Sequence, residues 1–583
     1  MVHAKIFGGV LERSLSVFSI LVLILLALAA PALLVVPTAS GQSAGVQAGN
    51  NGEPSQQVQL SPAFLKGRQL TQNAGFSTGD LSEVAAGIIQ KPAAPVYDIV
   101  ALRVSFQPDT SRFTTGDGTF SGALFDSLQS NVDPLPHNAE YFDAHLQFLA
   151  NYVARVSDGK TQLNTHLVPE EIQVSQQMSA YSPTGFEASS DDELTKLAGL
   201  VEEAWMLANE QSSFDMSGFD PATTAFVLFH AGVGRDIELV GTSLEKTPQD
   251  LPTIFFNDLS LERLLPGTEI SFNGFPVGHT ILMPRTESRV GFDFIQDIPF
   301  LIEFSINGLL AASFFNFLEV PDLFNTATGE SAIGPFGLMD PLGLFAYNGL
   351  FPPEPNAWTK LYLGWADLID VDVATDQNVP LTAMGAPAQN EVARIPISAS
   401  EYFLVENRDR DFENDGLTLT IYKDGQTFTQ QIENGDEEFN SINIEGFEGG
   451  VVVDADDFDW ALPGGIDADD NQLTGGILIW HIDERILAEG IAENSVNIDV
   501  LRRGVDLEEG DGAQDIGFPF DNIFGPQAFL GSPFDFFYEN NPIVVINAAG
   551  EEVRLYNNRF GPATFPNSNS NADGLSFIVL EDF

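Results

Sequence analysis

The chain of 583 residues contains no cysteine. Disulfide bonds and thiol chemistry are therefore excluded, so that stability must come from the hydrophobic core, to which bound calcium would add. Hydrophobic residues make up 44% of the sequence, which is enough for a large core. A chain of this length and composition predicts two or three domains.

Basic residues are also scarce. Lys and Arg together number 25 against 82 Asp and Glu, which gives a formal net charge of −57. Such a surface repels nucleic acid and anionic membranes, whereas it suits divalent cations, a salty medium or a basic partner. The simpler interpretation is a solvated acidic surface that keeps a secreted protein soluble.

Histidine occurs only seven times, and no H-E-x-x-H motif is present. The residues from Ile306 to Phe324 instead form an apolar stretch in which small residues alternate with Leu and Phe. This pattern predicts a buried helix against which another element packs closely. We expect Pro321 to end the helix, because proline lacks the amide hydrogen and clashes with the preceding turn.

The N-terminus has the features of a secretory signal. Lys5 and Arg13 precede an apolar run over residues 15–36, and the small residues 39–41 follow it. We therefore expect a signal peptide at 1–41 and a secreted protein without stable membrane insertion after cleavage. An uncleaved anchor is the alternative, since the run is long enough to span a bilayer. Residues 42–95 show little periodicity and are interpreted as a linker or a pro-like segment.

The remaining chain divides into two regions. Predicted strands at 98–106 and 225–234 and predicted helices at 137–156 and 191–210 indicate an α/β region over 96–390. The pattern becomes β-rich from about residue 366. We predict strands at 401–408 and 476–483 and a hairpin of 417–422 with 426–431, turned at Asp424–Gly425. Residues 391–583 are therefore predicted to form a β-rich C-terminal region.

Two acidic clusters in this region are candidates for calcium, which takes six to eight oxygen ligands. Neither has the glycine and distal glutamate of an EF-hand, and solvated loops are the alternative. The candidate ligands of the two clusters are Asp454, Asp456, Asp457, Asp459, Asp467, Asp469 and Asp470.

Several separated segments resemble the secreted zinc metallopeptidases of the immune inhibitor A type, over residues 97 to about 520. They are F-H-A-G-V-G at 229–234, G-H-T-I-L-M-P-R at 278–285, P-D-L-F at 321–324, L-M-D at 338–340, P-N-A-W at 355–358, L-G-W at 363–365, G-I-L-I-W-H-I-D at 476–483 and G-V-D-L-E-E at 504–509. The resemblance implies an α/β (α+β) metallopeptidase-like domain with a remnant of the zinc helix, followed by the β-rich region. It also implies a strand at L-G-W.

The resemblance further implies that the catalytic centre is lost. Aligned on P-D-L-F, the two zinc histidines fall on Ala312 and Asn316, and the catalytic glutamate falls on Ser313. The third ligand falls on Asp322, the family's glycine on Glu319 and its Met-turn methionine on Met339. One carboxylate cannot hold a catalytic zinc, since alanine has no donor atom and a neutral Asn is a poor ligand. We expect neither catalytic zinc nor catalytic residues.

Three functions remain open. The first is a secreted pseudopeptidase that binds an extracellular peptide or protein or has a structural role at a surface. The second is an active hydrolase with a rebuilt centre, in which Asp322, His230 and His279 hold a metal or Ser313 is a nucleophile. The third is a calcium-stabilised surface protein without a peptide site.

Overall fold

The computed structural model describes residues 59–70 and 89–583, apart from internal gaps at 122–123, 126–127, 184–189, 239–246, 294, 296–297, 387–390, 434–438, 442–443, 467–471, 523–524, 544, 547–551, 555 and 557. The predicted signal peptide lies outside the described residues. Within the described part of the chain, none of the helices combines the length and the apolar character needed to cross a membrane.

The two longest helices occur where the amphipathic pattern predicts them, and each begins at a polar cap residue that accepts a backbone N–H. The described helices are α1 Pro62–Leu70, α2 Ala139–Val156, α3 Met178–Tyr181, α4 Asp191–Gln211, α5 Asp258–Leu264, α6 Asn307–Phe317, α7 Pro341–Leu344, α8 Ala357–Tyr362 and α9 Glu484–Gly490, with short 3-10 helices at Ala346–Gly349, Phe458–Ala461 and Ile491–Glu493.

The strands are more numerous in the second half, as the sequence predicts. The described strands are β1 Gln59–Leu60, β2 Val96–Ser105, β3 Gln162–Gln173, β4 Thr224–Val233, β5 Ile237–Glu238, β6 Ile254–Phe256, β7 Ser271–Phe272, β8 Phe275–Pro276, β9 Thr280–Thr286, β10 Arg289–Asp293, β11 Ile298–Ile302, β12 Leu368–Asp370, β13 Val392–Pro396, β14 Glu401–Asp409, β15 Leu417–Lys423, β16 Gln426–Ile432, β17 Val451–Ala455, β18 Gly465–Ile466, β19 Gln472–Leu473, β20 Gly475–Asp483, β21 Val505–Glu508, β22 Pro519–Asn522, β23 Gly525–Ala528, β24 Val545–Ile546, β25 Glu552–Val553, β26 Arg559–Phe560 and β27 Leu580–Glu581.

A five-stranded sheet of order β3-β2-β4-β9-β6 organises the first half. Strands β2, β3, β4 and β9 are parallel, and β6 is an antiparallel edge strand. Alternate residues of β2 pack into the hydrophobic cores on opposite faces of the sheet. Ile99 packs on the face that α2 and α6 cover, and Val100 packs on the face that α4 covers. The first half is therefore a mixed α/β unit with helices on both faces of its sheet.

The second half is built on a sheet of order β12-β13-β14-β20-β21 and on a three-stranded sheet of order β16-β15-β17. The hairpin of β15 and β16 is confirmed, with Lys423 paired to Gln426 across Asp424 and Gly425. One hydrophobic core contains residues from both halves. Hydrogen bonds from a buried ion pair also join them: Arg408 of β14 pairs with Asp459, Arg408 donates to the carbonyl of Glu354, and Asp459 accepts the N–H of Glu354.

Two local predictions are wrong. The buried helix ends at Phe317, not at Pro321, because Glu319 adopts a left-handed conformation with φ of 65° directly after the cap. The L-G-W segment is not a strand: Leu363 caps α8, and Gly364, at φ of 71°, turns the chain away. In both places a residue with positive φ ends a helix. The sequence pattern did not predict a positive φ at either Glu319 or Gly364.

Candidate functional site

Helix α6 carries the positions that align with the zinc motif, and it is buried on all sides. The side chains of Ala312, Ser313 and Asn316 are fully buried. At its N-terminal end Gly308 approaches the carbonyl oxygen of Leu344 so closely that a Cβ would lie 1.9 Å from it. The small residues of this stretch therefore serve close packing, as the sequence predicts.

An arginine from α1 reaches two of the positions that align with the zinc motif. Nη1 of Arg68 donates a hydrogen bond to Oδ1 of Asn316 and lies 3.4 Å from Oδ1 of Asp322. The guanidinium packs 4.8 Å from the ring centroid of Phe64 and is only 3% exposed. A fixed cation thus lies between two of the four positions that align with the family's centre.

Asn494 forms hydrogen bonds with both Asp322 and Arg68. Its Nδ2 donates to Oδ2 of Asp322 and to the carbonyl of Arg68, both at 2.8 Å, and its Oδ1 accepts the backbone N–H of Asp322 at 2.7 Å. We call Arg68, Asn316, Asp322 and Asn494 the arginine cluster. Burial raises the pKa of Asp322, although Arg68, Asn494 and Asn316 oppose the shift.

The arginine cluster does not fit a catalytic zinc. Ala312 offers no donor atom, and the oxygens of Asn316 and Asp322 already accept hydrogen bonds from Arg68. A divalent cation at this point would also be repelled by the guanidinium. Asn316 and Asp322 accommodate one positive charge, and the guanidinium of Arg68 supplies it.

Residues proposed for a rebuilt centre do not converge. Oγ of Ser313 is buried and has no hydrogen-bond partner among the described residues. His230 lies near the end of β4, where its Nδ1 accepts the backbone N–H of Gly232, and His279 packs with its ring centroid 4.7 Å from that of Phe317. Among described residues, Asp322, His230 and His279 do not bring three ligand atoms within one ion's reach.

Met339 is 1% exposed. Its carbonyl oxygen accepts the backbone N–H of Leu323 at 2.8 Å, so it supports the P-D-L-F turn that carries Asp322. The next residue, Asp340, accepts hydrogen bonds from the backbone of Ala332 and Leu342 and caps α7. Met339 is therefore a packing residue here.

The predicted calcium ligands bind protein groups instead of one another. Asp454 pairs with Arg155 at 2.7 Å, and Asp456 accepts the backbone N–H of Thr418 at 2.8 Å. Oδ2 of Asp459 accepts from Arg408 at 2.6 Å.

Asp457, like Asp456, has no cationic partner among the described residues. Its carboxylate accepts the backbone N–H groups of Asp411 and Asp459 at 2.7 and 2.8 Å. Burial, with the nearby Asp459, raises the pKa of Asp457 to about 8. The other three candidates, Asp467, Asp469 and Asp470, lie outside the described residues.

A different acidic group was missed by the sequence analysis. Carboxylate oxygens of Glu509, Asp511 and Asp535 all lie within 4.8 Å of one another; Glu509 and Asp535 are buried, and Asp511 is 8% exposed. Burial raises the pKa of each, to about 6 for Asp511 and well above the usual value for Glu509 and Asp535. The only signal in the sequence was the E-E-G-D run at 508–511, because Asp535 comes from a later segment.

Comparison with known proteins gives no identification: no family model matches the chain, and no curated protein matches it either.

Proposed function

We propose that the chain is a secreted pseudopeptidase, similar in descent to the immune inhibitor A type of zinc metallopeptidase, that acts through binding or a surface-structural role. The observation that carries the proposal is the position of Arg68. Its guanidinium contacts Asn316 and Asp322, the two of the three aligned metal-ligand positions that bear a polar side chain. A centre that already contains a buried, fixed cation has neither a place for zinc nor an activated water.

Two backbone features support the alignment with that family. Glu319, which aligns with the family's glycine, has φ of 65°, a conformation that favours glycine. Met339, which aligns with the Met-turn methionine, accepts through its carbonyl the backbone N–H of Leu323, the residue after Asp322. Neither feature involves the catalytic residues themselves. Both therefore support common descent with that family, and neither bears on catalytic activity.

The N-terminal segment supports inactivity in a second way. Strand β1 pairs with β5, and the N–H of Ser61 donates to the carbonyl of Asp236 at 2.8 Å. Phe64 is fully buried in the main core, and Nε2 of Gln69 donates to the carbonyl of Thr326 at 2.9 Å. These contacts hold α1 over the arginine cluster as part of the fold, so the segment predicted as a linker or pro-like segment contributes structure here.

The direct test is the metal content of the purified secreted protein by mass spectrometry, paired with a casein-cleavage assay with and without added zinc. We expect no stoichiometric zinc and no cleavage. Zinc at one equivalent with cleavage that a chelator abolishes would overturn the proposal.

A sharper test restores the family's residues. The variant Ala312→His, Ser313→Glu, Asn316→His would remain without tight zinc binding while Arg68 is present, and the same variant with Arg68→Ala is expected to bind one zinc. The matched pair differs only in the guanidinium, so zinc binding by both or by neither would show that Arg68 is not what excludes the metal. Circular dichroism checks that both variants fold.

A calcium-stabilised surface protein is the second candidate, and the group of Glu509, Asp511 and Asp535 favours it. Carboxylate oxygens are calcium's preferred ligands, and these lie within 4.8 Å of one another. The same metal analysis tests this candidate: calcium that is retained by the wild type and lost in Asp511→Asn would support it. Absence of calcium after dialysis against a millimolar calcium buffer would exclude it.

A further inference from the structure

A histidine and an aspartate face each other inside the first half of the chain. Nε2 of His145, on α2, lies 3.6 Å from Oδ2 of Asp133, and both side chains are fully buried. Neither residue belongs to the arginine cluster, so the pair is independent of the proposed peptidase descent. The hydrogen bonds around the two side chains determine whether a proton lies between them.

Asn307 fixes a hydrogen on one nitrogen of His145. Nδ2 of Asn307 donates to the carbonyls of Leu350 and Val452, at 3.0 and 2.9 Å, so its Oδ1 is the acceptor that faces the histidine. Nδ1 of His145 lies 2.7 Å from this Oδ1 and therefore carries a hydrogen. In a neutral ring Nε2 is then an acceptor, and it has no hydrogen-bond partner among the described residues.

Asp133 accepts two hydrogen bonds from neutral donors. Its Oδ1 accepts the hydroxyl of Ser305 and its Oδ2 accepts the backbone N–H of Ile306, both at 3.2 Å. Within the described part of the chain, His145 is the one basic side chain that pairs with it. An ionised Asp133 and a neutral His145 would present two acceptors to each other across 3.6 Å of dry interior, which is unfavourable. An in-line bridging water needs about 5.5 Å between the two atoms, so a hydrogen on one of them is required instead.

The other titratable side chains around the pair do not supply this hydrogen. Nε2 of His137 lies 2.9 Å from the carbonyl of Asp133, so its hydrogen is used there. The ring of Tyr141 packs against His145, but its hydroxyl donates to the carbonyl of Arg285 at 2.6 Å. Glu303 accepts hydrogen bonds from a serine hydroxyl and from the backbone. The hydrogen must therefore come from protonation of the pair itself.

The pKa shifts of the two groups agree with this geometry. Burial, with the negative charge of Glu303, raises the pKa of Asp133 to about 8, although the hydrogen bonds that it accepts oppose the shift. Burial lowers the pKa of His145 to about 4, although Asn307 opposes the shift. The folded pair thus holds one proton between these two values. The unfolded chain releases this proton near pH 6.5, so the stabilisation is full below pH 6.5 and is lost as the pH rises through 8.

The pair is also linked to the second half of the chain. The N–H of Asp133 donates to the carbonyl of Gly450 at 3.1 Å, and the N–H of Gly450 donates to the carbonyl of Asn131 at 2.9 Å. Asn307, which binds His145, also donates to the carbonyl of Val452 in β17. Both members of the pair are therefore linked by hydrogen bonds to the start of β17.

We propose that Asp133 and His145 hold one buried proton between them at neutral pH, and that loss of this proton in mildly alkaline solution loosens the contact between the two halves of the chain. The proton passes to solvent and leaves a buried carboxylate beside the lone pair of the histidine. The repulsion between these two groups acts on Asp133 and Asn307, from which the hydrogen bonds to Gly450 and Val452 extend.

Neutron diffraction from crystals of the full wild-type chain tests the first part directly. At pH 6.5 the nuclear density should show one hydrogen or deuterium between Nε2 of His145 and Oδ2 of Asp133, bonded to either atom. At pH 9.5 this density should be absent. A pair without a hydrogen at pH 6.5, or a water that hydrogen-bonds to both atoms, would overturn the proposal.

Hydrogen exchange measured by mass spectrometry tests the second part. Exchange of the amides of residues 450–455, corrected for the intrinsic effect of pH, should become about tenfold faster between pH 6.5 and 8.5 in the wild type. Asp133→Asn should change by about twofold at most, because asparagine does not ionise and tolerates the φ of 49° at this position.

Asp376→Asn, at an exposed aspartate, is the matched control and should keep the full acceleration. Equal acceleration in the two variants would contradict the role of the pair. Should Asp133→Asn fail to fold, the neutron maps decide whether the proton is present. Exchange in the wild type then decides the second part, because an unchanged rate at residues 450–455 would overturn it.

Discussion

Nη1 of Arg68 donates to Oδ1 of Asn316 across 248 residues of sequence, inside the protein. The bond joins helix α1 to helix α6, which carries the positions that align with the zinc motif. Because Asp322 contacts the same nitrogen, removal of the guanidinium would leave a carboxylate buried without a cation. The contact therefore contributes to the stability of the fold at the place where we propose that a metal site was lost.

The first prediction concerns this arginine. Arg68→Met should lower the free energy of unfolding by about 3–5 kcal/mol, since it leaves Asp322 as an uncompensated buried charge. The double variant with Asp322→Asn should lose less than the single variant, because the carboxylate is then absent too. Urea denaturation followed by tryptophan fluorescence measures both.

The control is Arg263→Met, which breaks an exposed pair with Asp191 and should cost about 0–1 kcal/mol. A loss from Arg68→Met no larger than that of the control would show that the arginine cluster contributes little to stability.

The second prediction concerns the end of α6. Glu319→Gly should raise the free energy of unfolding by about 0.5–1 kcal/mol, because glycine adopts the positive φ of 65° without strain. The ion pair of Glu319 with Lys91 is partly exposed, so its loss should offset only part of this gain.

Thermal denaturation measures the change, and Glu319→Ala is the control. This variant loses the same ion pair but keeps a Cβ, so it should not stabilise the protein. Equal effects of Gly and Ala would mean that backbone strain is not the cause.

The third prediction is a loss of stability at alkaline pH. Burial opposes the protonation of His481, but Glu401 and Glu508, at 3.6 and 3.4 Å, outweigh it and raise the pKa of His481 to about 9. The folded state thus holds the proton more tightly than the unfolded state, whose pKa is about 6.5. The stabilisation is complete below pH 6.5 and is lost as the pH rises through 9, by on the order of 2–3 kcal/mol.

Urea denaturation between pH 6 and pH 10 measures this loss. His481→Gln should be less stable than the wild type at pH 6 and nearly as stable at pH 10. Parallel pH profiles of the two proteins would contradict the assignment to His481.

Local patterns were sufficient for much of the fold. Strand β2, helices α2 and α4 and the β15–β16 hairpin were predicted nearly to the residue, because each depends on hydrophobic periodicity or turn residues within one segment. The coarse division into an α/β half and a β-rich half follows from the same signals.

The sites were harder because their partners are distant in sequence. Arg68 lies in a segment that shows little periodicity, and nothing near it in sequence indicates that it contacts Asn316. Asp459 was proposed as a calcium ligand from its acidic neighbours, but Arg408, from another strand, is its partner. An acidic run identifies carboxylates without identifying what they face, so composition alone could not separate a calcium ligand from a buried ion pair.

The fourth prediction concerns the carboxylates of Glu509, Asp511 and Asp535 in buffers without divalent cations. Burial raises the pKa of Asp511 to about 6, and burial with the neighbouring carboxylates raises those of Glu509 and Asp535 further. Acids with raised pKa values hold their protons in the folded state, so their stabilising effect is full below about pH 4 and is lost as the pH rises through 6 and beyond.

Asp511→Asn removes one negative charge from the group and should therefore raise the melting temperature at pH 8 by about 2–4 °C in the presence of a chelator. Asp376→Asn, at an exposed aspartate, is the matched control and should change nothing measurable. A stabilisation by Asp511→Asn that is the same at pH 4 as at pH 8 would show that repulsion among the three carboxylates is not its source.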